Sequence, residues 1–364
     1  MNLTPKQLDA AVSRDIITAD QRTALLGLAA ETPDPAELRS MREEEQFRFI
    51  TGFNDIFLAI GVALFVSAAV MTSDLFDFSV ASTAAAAVAM WLVSEILAVR
   101  MRRAIPSMLA AAAFVIFAMI ASIGLLSEYI APHAIETSGT FSAYAFTVSG
   151  CLWASLYYVR FRLPFSLFMI GGAFVALGFV ALMHAVSGGV ENFEEFFYTQ
   201  KLTASYALVS GLVTFAIAMW LDRSDPDRST IKADYAFWLH LLAAPLIVHA
   251  LMYLTTGLEL GGVATVVSMG SALAVLAIFA ALSVVALIID RRAILVAALT
   301  YLGGALWYLA SRSQFAASNA ELFSILLISI LVIGLGVGWH GIRRTLFRIP
   351  VLRRVEHSVI SKQV

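Results

Sequence analysis

The residues best suited to chemistry in this sequence gather in one apolar run, 235–256, which holds His240, Pro245 and His249. Nine positions on a helix separate the two histidines by about 13 Å along the axis and turn them to nearly opposite faces. They cannot chelate one metal ion together, as histidines four apart would. Pro245 removes a backbone donor and predicts a kink that frees the carbonyl near Leu241. A kinked helix flanked by imidazoles can line a polar cavity, where neutral histidine titrates near physiological pH. The competing reading is two interhelical hydrogen-bonded histidines that hold a bundle together.

Glu95 is the other ionisable residue set inside an apolar run, about one turn from its end, with Arg100 as the expected local partner. Asp55 lies at the start of the first run, where it caps a helix or meets interfacial basic residues. His240, Pro245, His249 and Glu95 are therefore the candidate substrate-binding residues. No catalytic residues, metal ligands or cofactor site are expected, because there is no P-loop, no GxGxxG, no HExxH and no CxxC pair. Cys151 is the lone cysteine. His133, with Glu128 and Glu136 nearby, reads as part of a solvated loop. The run Asp222-Arg223-Ser224-Asp225-Pro226-Asp227-Arg228 lacks the glycine and terminal Glu of a calcium loop and reads as a turn with self-compensating charge.

Of the 364 residues, 60% are hydrophobic and 14% charged. Soluble domains run near 45–50% and about 25%, so a single soluble core cannot hide this much apolar surface. A net charge of −2 offers no basic field for nucleic acid. Ten segments reach the roughly 20 residues a membrane-crossing helix needs: 53–72, 79–99, 106–127, 141–160, 164–186, 203–221, 235–256, 264–289, 292–311 and 321–342. The expected fold is all-α, a ten-span bundle over 51–345, with a helical module at 1–50 and a basic tail at 346–364.

Arginine and lysine resist translocation, so cytoplasmic loops collect them. All but Lys201 and Arg312 of the 24 basic residues fall in alternate loops or at the two ends. That alternation predicts both termini in the cytoplasm and an acidic outer side carrying Asp74, Asp77, Glu128, Glu136, Glu191, Glu194, Glu195, Glu259 and Glu321. No apolar h-region precedes the first run, so that run is expected to serve as an uncleaved insertion signal. Gly334 and Gly338 form a GxxxG pair suited to close helix packing. Tyr129, Tyr144, Trp153, Tyr157, Tyr158, Trp220, Trp307 and Tyr308 include the expected interfacial anchors.

Residues 1–50 hold three helix starts: Thr4-Pro5-Lys6-Gln7, Thr18-Ala19-Asp20-Gln21 and Asp34-Pro35-Ala36-Glu37. The first two have capping-box spacing. A third helix, 36–49, is expected to run into the first span as a charged stalk. The pattern Leu8 … Asp15-Ile16-Ile17-Thr18-Ala19-Asp20-Gln21 … Leu25-Leu26 ahead of an apolar bundle resembles a family of uncharacterised bacterial membrane proteins with a short helical cytoplasmic start. The stretch from Asp234 to His249 is similar to a segment that recurs in proteobacterial inner-membrane proteins. These resemblances imply a bacterial inner-membrane location and a helical fold, and bring no activity with them.

Two functions follow. The first is a transporter or permeation protein for a small solute. Ten spans divide into five plus five with the second half inverted, which in span count is similar to the drug/metabolite exporter superfamily. The second is a non-catalytic scaffold or sensor that docks a cytoplasmic protein through residues 1–50.

Overall fold

In lipid, an apolar run must pair its backbone N–H and C=O groups internally, and the α-helix does so within one segment. The computed structural model describes residues 5–14, 16–23, 53–187, 200–225, 230–257, 268–291, 293–312 and 317–348, and among them every regular element is helical. The chain divides into two units, 1–49 and 50–364.

In the first unit, α1 (Pro5–Ser13) is followed by a helical segment at 19–23. The predicted second capping box is formed: Gln21 N–H donates to Thr18 Oγ1 at 3.2 Å, and Thr18 N–H donates to Gln21 Oε1 at 2.9 Å. Leu8 is buried, and Arg22 pairs with Asp9 at 2.6 Å. The expected stalk at 36–49 and most of the tail at 346–364 lie outside the described residues, as do the outer acids Glu191, Glu194, Glu195 and Glu259.

The second unit contains α2 (Phe53–Leu75), α3 (Val80–Ser94, continued by a π-helical turn Glu95–Arg100), α4 (Ala104–Leu125) and the short α5 (Pro132–Thr137). Then come α6 (Gly139–Phe161), α7 (Phe165–Ser187), α8 (Gln200–Ser224), α9 (Ile231–Thr256), α10 (Met269–Ile289), α11 (Ala293–Ser311) and α12 (Ala320–Leu346). Among the described residues, nine helices are long and apolar enough to cross a membrane: α2, α3, α4 and α7 to α12. The tenth expected span, α6, is a helix of 23 residues. Thr140, Ser142, Thr147, Ser149 and Ser155 make it less apolar than the rest.

Two apolar cores organise the bundle. One joins α3, α4 and α6 through Ala86, Met90, Phe114 and Tyr157; the other joins α9 to α12 through Val248, Met252, Val275, Leu302 and Trp339. Helix α7 bridges them, packing on α6 to one side and on α9 to the other. The halves differ in pairing: α2 packs chiefly on α4, whereas its counterpart α8 packs along its neighbour α9.

Among the described glycines, Gly211 of α8 meets the backbone of a neighbouring helix most closely. A Cβ there would stand 2.9 Å from Ile247 Cγ1 and 3.1 Å from the Ile247 amide nitrogen of α9. Gly334 of the GxxxG pair has no atom within 4 Å of such a Cβ, and Gly338 meets only Ile342 of its own helix, so among the described residues that pair makes no close contact with another helix. Tyr157, read as an interfacial anchor, is fully buried in a ring cluster with Trp91, Phe114 and Phe161, and Trp153 donates to Ser122 Oγ at 2.8 Å. Tyr308 is buried as well, whereas Trp220 and Trp307 do face outward.

Candidate functional site

Helix α8 turns a stripe of small residues, Ala204, Gly211 and Ala218, into the bundle at heptad spacing. Asp222 lies one turn beyond Ala218 on that stripe. Because α8 continues to Ser224, Asp222, Arg223 and Ser224 of the expected turn are helical instead and Asp222 faces α9, while 226–228 lie outside the described residues. His240 of α9 meets it, with Nε2 2.9 Å from Asp222 Oδ2. Arg291 completes the group: its Nε donates to Oδ2 at 3.3 Å and its Nη2 to Oδ1, gripping the carboxylate with both arms of the fork. The His240 and Arg291 side chains are 0% and 4% exposed, and the His240 ring stands edge-on to Phe215 at 5.2 Å.

Arg291 reaches this position through the turn after α10. Asp290 has φ +55° and caps the helix in the left-handed conformation. Asp290 and Arg291 then serve different neighbours. Asp290 Oδ1 accepts from Trp339 Nε1 at 2.7 Å and lies near Arg343 of α12 at 3.5 Å through Oδ2. Arg343 also donates to the Leu287 carbonyl at 3.2 Å. Two adjacent residues thus tie α10 to α8 and to α12, and Asp222 carries the link on to α9.

Two further ion pairs occupy this same Arg-rich end of the bundle. Asp55 at the start of α2 is 1% exposed and accepts from Arg103, just before α4, at 2.9 Å. Glu95 pairs at 2.7 Å with Arg160 of α6, and not with the expected Arg100.

Tyr158 Oη donates to Tyr235 Oη at 3.0 Å at this end as well, and further polar pairs lie deeper or toward the opposite end. His249 Nδ1 is 2.7 Å from Tyr301 Oη of α11. One turn on, Tyr253 Oη donates to Gln200 Oε1 of α8 at 2.6 Å. Tyr206 donates to the Val175 carbonyl at 2.6 Å, and Tyr144 and His184 meet at 3.3 Å.

The four sequence candidates are therefore dispersed. His240 belongs to the ion-pair cluster, and His249 bonds α11 from another face of the same helix. Pro245 lies between them, inside a continuous α9, and is exposed on the outside of the bundle. Glu95 sits in the other core's half. Asp222, Asp290, Arg291 and Trp339 escaped sequence reading as a site, whereas Asp55 does meet an interfacial basic residue, Arg103. The signal for Asp222 was its place on the Ala204–Gly211–Ala218 stripe; nothing local marked the others.

A carboxylate shared between a guanidinium and an imidazole can clamp helices and exchange one partner for the other. Among the described residues no group of three metal-ligating side chains converges. No family model, curated protein or solved structure matches this chain.

Proposed function

We propose that this protein is a ten-span carrier or permeation protein for a small solute, seated in a bacterial inner membrane with both termini in the cytoplasm. The observation that supports this reading is the pair of polar bridges in the far half of α9. His249–Tyr301 and Tyr253–Gln200 cross an apolar bundle at neighbouring turns. Polar groups at membrane depth are costly, and those retained there mark solute or ion routes. Helix α9 packs against α7, α8, α10 and α11, so His249 and Tyr301 lie among packed helices, while Tyr253 and Gln200 lie near the helix ends. Neutral imidazole, phenol and amide suit an uncharged or weakly polar solute. Helix α6 serves as the tenth span: its 23 residues reach about 34 Å, enough for the hydrocarbon core, and they bring Arg160 and Arg162 to the Arg-rich end.

The test is uptake into proteoliposomes made with the full chain, screened across sugars, amino acids, organic acids and apolar amphiphiles. One class should enter faster than into protein-free vesicles, and His249→Ala should slow it. Uptake equal to protein-free vesicles for every class ends the reading.

A second reading has its own support. Residues 1–49 form a separate unit with its own capping box and the Asp9–Arg22 pair, as suits a scaffold that docks a cytoplasmic protein. Specific crosslinks from this unit to one partner, with no solute moved, would favour it.

A further inference from the structure

We propose that the Asp222–Arg291–His240 cluster is a closing latch for the mouth at the Arg-rich end, held shut in this structure. The inference rests on the carrier reading and names the moving contact. Its first support is asymmetry. The second unit's described ion pairs, Asp55–Arg103, Glu95–Arg160, Asp222–Arg291, Asp222–His240 and Asp290–Arg343, all lie at that end. Toward the other end the described side-chain pairs are of another kind: Tyr253–Gln200, Tyr144–His184, Tyr129 with Glu128, and Arg312 over the Tyr308 ring.

The second support is connectivity. Among the described residues, the Asp222 carboxylate bonds both His240 of α9 and Arg291 after α10, so releasing it frees the Arg-rich end of α8 from both at once, while the packing at Gly211 holds α8 to α9 farther along. Two nearby charges have partners of their own. Asp225 accepts from the Thr230 N–H at 2.9 Å and the Thr230 hydroxyl at 2.7 Å, and Arg343 is held by Asp290 and the Leu287 carbonyl.

The third support is the physics of the bond itself. A charge-assisted bond is strong in a dry site and weak once water reaches it. A buried carboxylate–guanidinium fork therefore favours two discrete states, closed and dry or open and hydrated, which is what a gate requires.

The latch is tested by water accessibility just behind it. In a Cys151→Ser background, Ala218→Cys places a reporter one turn inside Asp222, at a position 0% exposed. Ala204→Cys places a control 14 residues away, about 21 Å along the same helix. The full chain in lipid nanodiscs is treated with a membrane-impermeant maleimide. Asp222→Asn should raise labelling of the Ala218→Cys reporter about tenfold or more, the shift expected when charge-assisted bonds are lost, and leave the Ala204→Cys control unchanged. Should Asp222→Asn fail to fold, Arg291→Lys keeps the charge but loses the fork, and should give a smaller rise at the same reporter. Equal labelling in all backgrounds overturns the latch. So does a rise at both reporters together, which is the signature of a simple staple. No solute enters this assay, so the two ideas fail separately. Flat labelling with solute uptake removes the latch alone, and selective labelling without uptake removes the carrier.

Discussion

Consider the removal of Asp222 and Arg291 singly and together. Asp222→Leu leaves the Arg291 guanidinium, 4% exposed, without the carboxylate that grips it. Stranding one partner of a buried pair costs about 3–5 kcal/mol. Arg291→Met leaves Asp222 facing His240 Nε2 at 2.9 Å, a hydrogen bond to a charged group worth about 1.5–3 kcal/mol, so the loss is smaller. The double substitution removes both charges and fills the space with apolar atoms, an exchange that is often close to neutral. The double variant should therefore be more stable than Asp222→Leu alone, with a coupling of about 2 kcal/mol or more between the sites. The assay is SDS titration in mixed micelles, followed by the fluorescence of the six tryptophans. Additive losses, or single losses below about 0.5 kcal/mol, the scale of an exposed pair, would refute the reasoning.

Three further outcomes follow from the same geometry. Gly211→Ala should destabilise the bundle by about 1–3 kcal/mol, because its Cβ would press on the Ile247 backbone, while Gly334→Ala, which meets nothing, should be silent in the same titration. Asp55→Leu should lower stability by about 1.5–3 kcal/mol through loss of the charge-assisted bond from Arg103, and Asp55→Leu/Arg103→Met should recover part of it. In a Cys151→Ser background, Gly139→Cys and Leu163→Cys should react with an impermeant reagent from opposite sides of the membrane. Reaction from one side would show that α6 does not cross.

Much of the architecture was legible in the residues because it depends on local quantities. Apolar runs of sufficient length became helices, and the spacing of Thr18 and Gln21 became a reciprocal cap. The site was less legible because its contacts are distant in sequence. Asp222 and Arg291 are 69 residues apart, Glu95 and Arg160 are 65 apart, and Asp55 and Arg103 are 48 apart. Such pairs are chosen by helix packing, which no spacing rule encodes. Arg100 lost Glu95 to Arg160 for this reason. The GxxxG pair misled in the opposite sense: it permits close approach without requiring it, and the approach occurs instead at Gly211, where Ile247 of α9 comes closest. Tyr157 shows the same limit, since an aromatic near a helix end reads as an anchor until the neighbouring helix buries it.

The central claim is that the polar bridges of α9 serve solute passage. The most direct measurement is counterflow in proteoliposomes of the solute class found in the uptake screen, comparing the native chain with His249→Ala and Tyr301→Phe at matched reconstitution. The account predicts exchange by the native chain and a loss of at least about tenfold in both variants, in protein that remains folded. Equal exchange by all three would contradict it.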